Sequence, residues 1–439
     1  MPRVQTFIVK SHHPEKFDPL LLSREYLFLE IAMRLKTLVA VAFVVLSASR
    51  PGAVALPPVP TGSEFRVNTS TGVSQDSPSI AAFPDGGFVV VWSGSGARAR
   101  FLDAAGKPVG GEIRLVGVGG GVDQVIADRD GSFLVAWTGA LPERSESIVF
   151  VRRFNRDGTP RGKRIRASLP STSNRYNAVA TVGPDGRFAV AWVSDVPVPE
   201  FEGGRYTNAV GRIFSARGTP LTPEIVLHAG EPPTRAGDDT IFAFPSSLAL
   251  KPSGHLAALV QETGNCFQSY LVEVPWGGPP SGLQDLGSPL CGFQVRDGLE
   301  ASLAVGKDGS LVATWSDFDV QAQRFAPDGT PRGQTFELSR DQVSNQYEPA
   351  AALQAGGQFV AAWTEEDRDG DGRRIFGRAF AANGTARTQV FRINTTTAGD
   401  QYDPAIAAPR EGPAVVVWTR SLVANGRTDI FARVLSPNR

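Results

Sequence analysis

The sequence has few histidines, a residue that many catalytic motifs contain. Only four histidines occur in 439 residues, and two of them lie among the first thirteen. The other two, His228 and His255, belong to no G-x-S-x-G or H-E-x-x-H pattern. His255 flanks a turn, where a role in surface structure is expected. No catalytic residue is therefore assigned from the sequence.

An excess of charge and a long apolar run are also missing after residue 55. Seven of the 44 basic residues and four of the 44 acidic residues precede residue 56. The rest of the chain therefore has 37 basic and 40 acidic residues. A nucleic-acid partner usually demands a strong basic excess, so none is expected. No later segment is long and apolar enough to cross a membrane, so no transmembrane segment is expected in the mature chain. With 47 glycines, 33 prolines and 41% hydrophobic residues, the composition indicates a globular, turn-rich protein.

Residues 33–55 have the three parts of a secretory signal peptide. Met33–Lys36 supply a basic region, Thr37–Ala48 form an apolar run too short to span a bilayer, and Ala53–Ala55 form an A-x-A cleavage site. The mature chain is therefore predicted to begin near Leu56 and to be secreted, periplasmic or held at the cell surface.

Two segments flank this signal. Met1 and Met33 are the chain's two methionines, so residues 1–32 are interpreted as an upstream extension that is not part of the native protein. The alternative is an unusually long basic region of the signal. Residues 56–63 are interpreted as a Pro-rich linker, and residues 64–439 as the folded domain.

Cysteine is almost absent, and both copies lie close together. Cys266 and Cys291 are the chain's two cysteines, and the signal peptide directs them to an oxidising compartment. A disulfide between them is predicted, with two free buried thiols as the alternative.

What the sequence has in abundance is one repeated pattern: a turn, an alternating strand and a tryptophan. Seven units are counted, 45 to 68 residues apart, the fourth with Val in place of Trp. The units are DGGFVVVW ending at Trp92, DGSFLVAW at Trp137, DGRFAVAW at Trp192, SGHLAALV at Val260, DGSLVATW at Trp315, GGQFVAAW at Trp363 and EGPAVVVW at Trp418.

Each unit is interpreted as four short antiparallel strands. An apolar strand meets a D-G turn, the Trp strand returns, a strand ending in an R-F-like pair follows, and a D-G-T-P-x-G turn leads into the fourth. Four antiparallel strands repeated radially are a β-propeller blade, and the tryptophans are expected to be core.

The first and last repeats share one segment. FRVNTSTGVSQDSPSIAA, from Phe65, and FRINTTTAGDQYDPAIAA, from Phe391, agree at ten of eighteen positions. The chain ends on a third strand, so the N-terminal strand is expected to complete the last blade. The predicted fold is thus all-β, a seven-bladed β-propeller of four-stranded antiparallel blades whose ring is closed by that strand.

These motifs resemble the repeats of secreted or surface-exposed bacterial β-propeller proteins. The likeness covers residues 64–439 and is closest in VQAQRFAPDGTPRGQTFEL and FRINTTTAGDQYDPAIAA. It implies an extracellular or envelope scaffold with a binding role, and the fourth unit departs from it most. No catalytic residue set comes with the resemblance.

Candidate ligand-binding residues lie nine or ten positions before the turn glycine, where connections of variable length meet. They are Tyr176, Asn177, Glu300, Tyr347, Glu348, Tyr402 and Asp403. Acidic and aromatic groups around a channel opening suit a cation, a sugar or a cationic peptide. Polar strand starts and packing aromatics are the alternative interpretation.

The segment DRDGDG, residues 367–372, resembles the first half of a calcium loop. Asp367, Asp369 and Asp371 alternate as oxygen ligands would, and Gly372 permits a sharp turn. The second half is missing, since Arg378 stands at the twelfth position, so a solvated acidic hairpin is the alternative. Calcium is the one cofactor that the sequence suggests.

The sequence favours a non-catalytic binding scaffold whose partner is an unidentified protein or glycan. The alternative is a carbohydrate-active hydrolase or lyase, sialidase-like or glycosidase-like, in which a pair such as Glu348 and Asp403 acts as acid and base. The Asp-box repeats of sialidases are not evident, and the fold alone does not separate the two functions.

Overall fold

A computed structural model describes residues 58–117, 121–140, 146–171, 173–198, 204–232, 241–263, 266–275, 281–286, 290–291, 301–317, 319–339, 344–366, 372–423 and 426–437. The chain divides into two units, Met1–Ala55 and Leu56–Arg439, and the described residues all belong to the second. The signal peptide and the upstream extension therefore lie outside the described residues and stay predictions. In the ranges above, no helix has the length and hydropathy to cross a membrane.

The second unit is built from strands with tight turns between them. In chain order they are β1 (Pro58–Arg66), β2 (Asp76–Ala82), β3 (Phe88–Gly94), β4 (Gly96–Leu102), β5 (Pro108–Arg114), β6 (Gln124–Ala127), β7 (Phe133–Ala140), β8 (Ser147–Phe154), β9 (Pro160–Arg166), β10 (Arg175–Val182), β11 (Phe188–Pro197), β12 (Arg205–Phe214), β13 (Ile225–Ala229), β14 (Phe242–Leu250) and β15 (Leu256–Thr263). They continue as β16 (Cys266–Val274), β17 (Ser281–Asp285), β18 (Leu290–Cys291), β19 (Ala301–Val305), β20 (Leu311–Asp317), β21 (Asp319–Phe325), β22 (Phe336–Glu337), β23 (Gln346–Leu353), β24 (Phe359–Glu366), β25 (Arg373–Phe380), β26 (Phe391–Arg392), β27 (Gln401–Ala407), β28 (Ala414–Ser421) and β29 (Thr428–Pro437). A short 3-10 helix, Ala355–Gly357, lies between β23 and β24.

Five four-stranded antiparallel sheets account for most of these strands. They are β2-β3-β4-β5, β6-β7-β8-β9, β19-β20-β21-β22, β23-β24-β25-β26 and β27-β28-β29-β1. The first strand of each sheet packs against the first strand of its neighbours, for example β2 against β6 and β27. This arrangement is a β-propeller. We call β2, β6, β10, β14, β19, β23 and β27 the inner strands.

The prediction of seven blades in a closed ring is wrong. The structure has five four-stranded blades, and the region expected to hold two more is a single nine-stranded sheet, β10 to β18. The junction is a parallel contact between β12 and β14, in which Thr207 pairs with Phe242. Gly230 makes the junction possible, because a Cβ there would collide with the carbonyl oxygens of Thr207 and Ile241. In the sequence the region differs only by the longest spacing, 68 residues from Trp192 to Val260, and by Val in place of Trp.

One part of that prediction is confirmed: the N-terminal strand completes the last sheet. β1 pairs antiparallel with β29, with Phe65 opposite Ala432 and Arg66 opposite Phe431. Chain segments more than 360 residues apart thus share one sheet, and β1 covers an edge that β29 would otherwise expose.

The repeated Asn of FRVN and FRIN explains why the two segments are similar. The side-chain oxygen of Asn68 accepts the backbone N–H of Ile430 at 2.9 Å, and that of Asn394 accepts the N–H of Ile375 at 2.9 Å. Both amides also donate to a carbonyl two residues onward, Ser70 and Thr396, at 2.8 Å. Each Asn therefore holds the end of a fourth strand to its third strand.

The repeated aromatic and basic positions are structural. The six register tryptophans are at most 3% exposed, so the prediction that they form core is confirmed. An Arg near the end of the third strand donates to a backbone carbonyl that directly follows the fourth strand of the preceding sheet. The pairs are Arg100 with Val67, Arg212 with Ala167, Arg378 with Leu338 and Arg433 with Ile393. These arginines join neighbouring sheets and are not ligand-binding candidates.

Candidate binding cavity at the start of the inner strands

Four inner strands begin with the same backbone irregularity. A register shift follows the first residues of β2, β10, β23 and β27. The residue inside each shift has a left-handed conformation: Ser77 (φ 51°), Asn177 (φ 50°), Glu348 (φ 53°) and Asp403 (φ 56°). Within the described residues these are the four non-glycine positions with positive φ. The strain is on the order of 1 kcal/mol at each site, and bulges of this kind re-aim side chains.

The re-aimed side chains line a cavity of about 760 Å³. We call it the acidic cavity, because three carboxyl groups and one guanidinium line it. Its wall consists of Ser77, Pro78, Val122, Asp123, Tyr176, Asn177, Ala178, Val193, Thr207, Phe242, Phe244, Thr263, Glu348, Arg373, Tyr402 and Asp403. Five of the seven predicted ligand-binding residues are brought together here.

Two predicted residues are not among them. Tyr347 is half-buried on β23, opposite Thr364, and is not part of the cavity wall. Glu300 lies outside the described residues, as do Asp367, Asp369 and Asp371 of the predicted calcium loop. Among the residues that the structure does describe, no group of three or more His, Cys, Asp or Glu side chains is arranged to hold a metal ion.

Glu348 and Asp403 form the centre of the cavity. One carboxylate oxygen of Glu348 accepts the hydroxyl of Thr364 at 2.6 Å and the backbone N–H of Asp403 at 2.7 Å. Burial raises the pKa of Asp403 well above its usual range, and the charges of Glu348 and Asp76 raise it further. Asp403 is therefore held as a neutral carboxylic acid, which donates one hydrogen bond and accepts others.

Two more groups on the wall have raised pKa values. Burial raises the pKa of Asp123 to about 6, although the Thr138 hydroxyl donates to this carboxyl at 2.7 Å. Burial, with the nearby charge of Asp195, raises the pKa of Tyr176 to about 12. Burial therefore shifts Asp123, Tyr176 and Asp403 in the same direction, toward their neutral forms.

Aromatic rings supply flat apolar faces beside these polar groups. Tyr176, Phe242, Phe244 and Tyr402 line the cavity, and Phe242 keeps 39% of its surface exposed. The Arg373 guanidinium lies 4.2 Å from the centre of the Tyr402 ring and pairs with Asp400 at 3.5 Å. Arg373 therefore holds Tyr402 in place while its charge is balanced at the rim.

The sequence-based selection missed Asp76, Asp123, Phe242 and Arg373. Asp76 stands ten residues before Gly86, the same register position as Tyr176 and Tyr402, so the repeat alignment carried the signal for it. Asp123 stands eight residues before Gly131, two positions away from that register position. Phe242 and Arg373 are the first residues of β14 and β25. The repeat pattern does not predict that these residues reach the cavity.

The predicted cysteine bridge is partly supported by backbone position. Cys266 on β16 stands directly opposite Cys291 on β18 in antiparallel register. The side chains of both cysteines lie outside the described part of the structure, and the described part shows no disulfide. The bridge stays a prediction.

Comparisons with known proteins leave the ligand open. No protein-family model matches the sequence. No curated protein matches it either.

A protein of unknown function from Dyadobacter fermentans superposes with a TM-score of 0.49 at 12% identity, over 88% of this chain and 100% of that one. A Trypanosoma rangeli sialidase in complex with difluorosialic acid has a TM-score of 0.45 at 12% identity, over 85% of this chain and 60% of that one. An α-L-arabinanase from Penicillium chrysogenum, complexed with arabinobiose, has a TM-score of 0.44 at 11% identity, over 87% and 98%. Similarities this low carry no inference about ligand or activity.

Proposed function

We propose that the protein is a secreted or envelope-associated binding module whose acidic cavity takes a neutral, hydroxyl-rich ligand, namely a glycan. The observation that carries this proposal is the convergence of Tyr176, Asn177, Glu348, Tyr402 and Asp403 in one cavity. Its volume of about 760 Å³ lies within the range of drug-sized ligand sites.

The polar groups suit hydroxyl groups. A sugar hydroxyl both donates and accepts, so its site needs donors and acceptors side by side. The amide of Asn177 and the neutral carboxyl of Asp403 each offer both, and the carboxyl oxygens of Glu348 accept. The rings of Tyr402 and Tyr176 offer faces on which the C–H side of a sugar ring packs.

The same chemistry disfavours a bare cation as the ligand. A cation site needs ionised carboxylates, yet burial holds Asp403 and Asp123 toward their neutral forms. A neutral ligand that forms hydrogen bonds fits these conditions better.

A glycan array followed by calorimetric titration tests the proposal. We expect saturable binding of at least one neutral oligosaccharide, weakened about tenfold or more in Tyr402→Ala, since a stacked ring contributes on the order of 1 kcal/mol beyond its buried area. Leu221→Ala, an exposed apolar side chain outside the cavity, is the matched control. Absence of binding across the array, or equal loss in both variants, contradicts the proposal.

The raised pKa of Asp403 favours one second candidate, glycoside hydrolysis. In it Asp403 protonates the leaving glycosidic oxygen, and Glu348 is the second carboxyl group, either activating a water or attacking the sugar. Turnover of chromogenic glycosides that is abolished by Glu348→Gln would establish this candidate and overturn a binding-only role.

Export belongs to the same proposal and rests on residues 33–55 alone. The N-terminal sequence of protein recovered outside the cytoplasm is expected to begin near Leu56. A mature chain that still carries residues 33–55 contradicts the export part without affecting the cavity.

A further inference from the structure

A second cavity, of about 800 Å³, lies at the other end of the inner strands. Ala82, Ala127, Val182, Leu250 and Leu353, all near the last residues of inner strands, form part of its wall. The following tight turns supply the rest. The acidic cavity is formed by the first residues of the same strands, so the two cavities lie at opposite ends of them. We call this second one the basic cavity.

Cations dominate the wall of the basic cavity. Five basic side chains line it, against two acidic ones, Asp128 and Asp308. The basic residues are Arg129, Lys307, Arg324, Arg332 and Arg410. Asp128 is buried and forms an ion pair with Arg153, which does not line the cavity, so its charge is already balanced.

The charge of Arg332 is partly offset by Asp308, whose pKa it lowers. Within the described residues, no ion pair at contact distance joins Arg129, Lys307, Arg324 or Arg410 to an acidic side chain. Arg324 instead donates to two backbone carbonyls, those of Ala382 at 2.7 Å and Arg332 at 3.0 Å. Burial lowers the pKa of Arg324, and the like charge of Arg332 lowers it further. Arg129, Lys307 and Arg410 are exposed and can contact a ligand, and Arg332 is exposed beside Asp308.

We propose that the basic cavity binds a multiply charged anion that carries phosphate or sulfate groups. The whole chain has no net charge, so the positive potential here is local and comes from the convergence of the turns. A concave site with apolar walls concentrates such a field. Guanidinium groups match phosphate and sulfate oxygens with paired N–H donors. This proposal does not depend on glycan binding in the acidic cavity.

Calorimetric titration with two probes tests it: inorganic tripolyphosphate for phosphate groups and sucrose octasulfate for sulfate groups. At about 50 mM salt we expect one saturable site for at least one probe, and weaker binding at about 300 mM salt because exposed charges are screened. The probe that binds more tightly identifies the class of anion, and unmodified sucrose is the uncharged control.

The decisive variant replaces Arg129, Lys307 and Arg410 together with Gln. These side chains are exposed, so folding should be preserved, which a thermal melt verifies. We expect this variant to bind the probe about tenfold more weakly than the unmodified protein, because each exposed charge contributes only modestly to binding. The matched control replaces Lys107, Lys163 and Arg392, exposed residues elsewhere, with Gln and changes the net charge equally.

Two results overturn the proposal. One is the absence of saturable binding by either probe at low salt. The other is equal weakening in the two triple variants, which shows that the probes respond to total charge and not to the cavity.

Discussion

The two ends of the inner strands have opposite chemistry on one scaffold. At their starts, bulged residues with positive φ turn carboxyl and aromatic side chains into the acidic cavity. At their ends, tight D-G turns surround the basic cavity with arginine and lysine. The same strands therefore present two different surfaces, and the difference arises from backbone geometry: non-glycine bulges at one end and glycine turns at the other.

Carboxyl groups show the contrast most clearly. Asp403 and Asp123, at the starts, have raised pKa values because burial penalises their charged forms. Asp308, at the opposite end, has a lowered pKa, mainly because the Ser310 hydroxyl donates to it, with help from the charge of Arg332. Burial at the strand starts and hydrogen bonding in the turns therefore shift the pKa values of these acids in opposite directions.

Removing Pro58–Arg66 is expected to have the largest effect, because it should destroy both cavities together. Without β1, β29 exposes an unpaired edge, and the sheet that contributes β27 loses a strand. We expect loss of cooperative unfolding, equivalent to the whole stability of about 5–15 kcal/mol. Thermal melts followed by circular dichroism measure this. A sharp transition near the full-length Tm, with either cavity still active, contradicts it.

Breaking the predicted Cys266–Cys291 bridge should affect the acidic cavity more than the basic one. β16 begins three residues after Thr263, which is part of the acidic wall. Cys266→Ser is expected to lower the free energy of unfolding by about 2–4 kcal/mol. Intact mass of the exported protein should show two hydrogens missing. Full alkylation without reductant refutes the bridge.

The pH dependence of stability should have opposite signs at the two ends. Asp123 holds its proton more tightly in the folded state, so its ionisation lowers stability as pH rises from about 4 to about 6. Asp123→Asn should remove this decline and raise Tm at pH 7 by a few degrees. Asp308 stabilises above its unfolded pKa and loses that contribution as pH falls, so Asp308→Asn should lower Tm only above about pH 4.

Thermal melts from acid to neutral pH check both variants against the unmodified protein. If both variants change Tm in the same direction relative to the unmodified protein, the opposite pKa shifts of Asp123 and Asp308 are contradicted. The Asp403→Asn variant should follow the Asp123→Asn profile, because burial raises the pKa of both groups.

The smallest expected effects come from two substitutions that test backbone strain, one at each end of the inner strands. Ser77 is exposed with φ 51°, and Gly131 has φ 80° with open space around an added Cβ. Gly131→Ala should lower the free energy of unfolding by about 1 kcal/mol, and Ser77→Gly should raise it by at most about 0.5 kcal/mol. Chemical denaturation measures both. A destabilised Ser77→Gly variant indicates that the bulge is not strained.

The repeat made much of the molecule predictable. Turn residues and alternation predicted four-stranded blades, and the FRVN and FRIN segments predicted the pairing of β1 with β29. Two adjacent register positions predicted five cavity residues. The blade count failed because the contact of Thr207 with Phe242 depends on a close approach at Gly230, which is a tertiary feature.

The basic cavity was unpredictable for a different reason. Its cations occupy different places in their own repeats: Arg129 and Lys307 lie in turns, Arg324 on β21, and Arg332 and Arg410 after other strands. Each is an ordinary exposed or half-buried charge in the sequence. Only the meeting of several turns around one opening makes them a group.

Crystals soaked with the best neutral oligosaccharide from the array test the central claim most directly. We predict sugar density in the acidic cavity, within hydrogen-bond distance of Glu348 and Asp403, with a ring against Tyr402. An empty acidic cavity in a crystal that holds the same sugar elsewhere contradicts the claim.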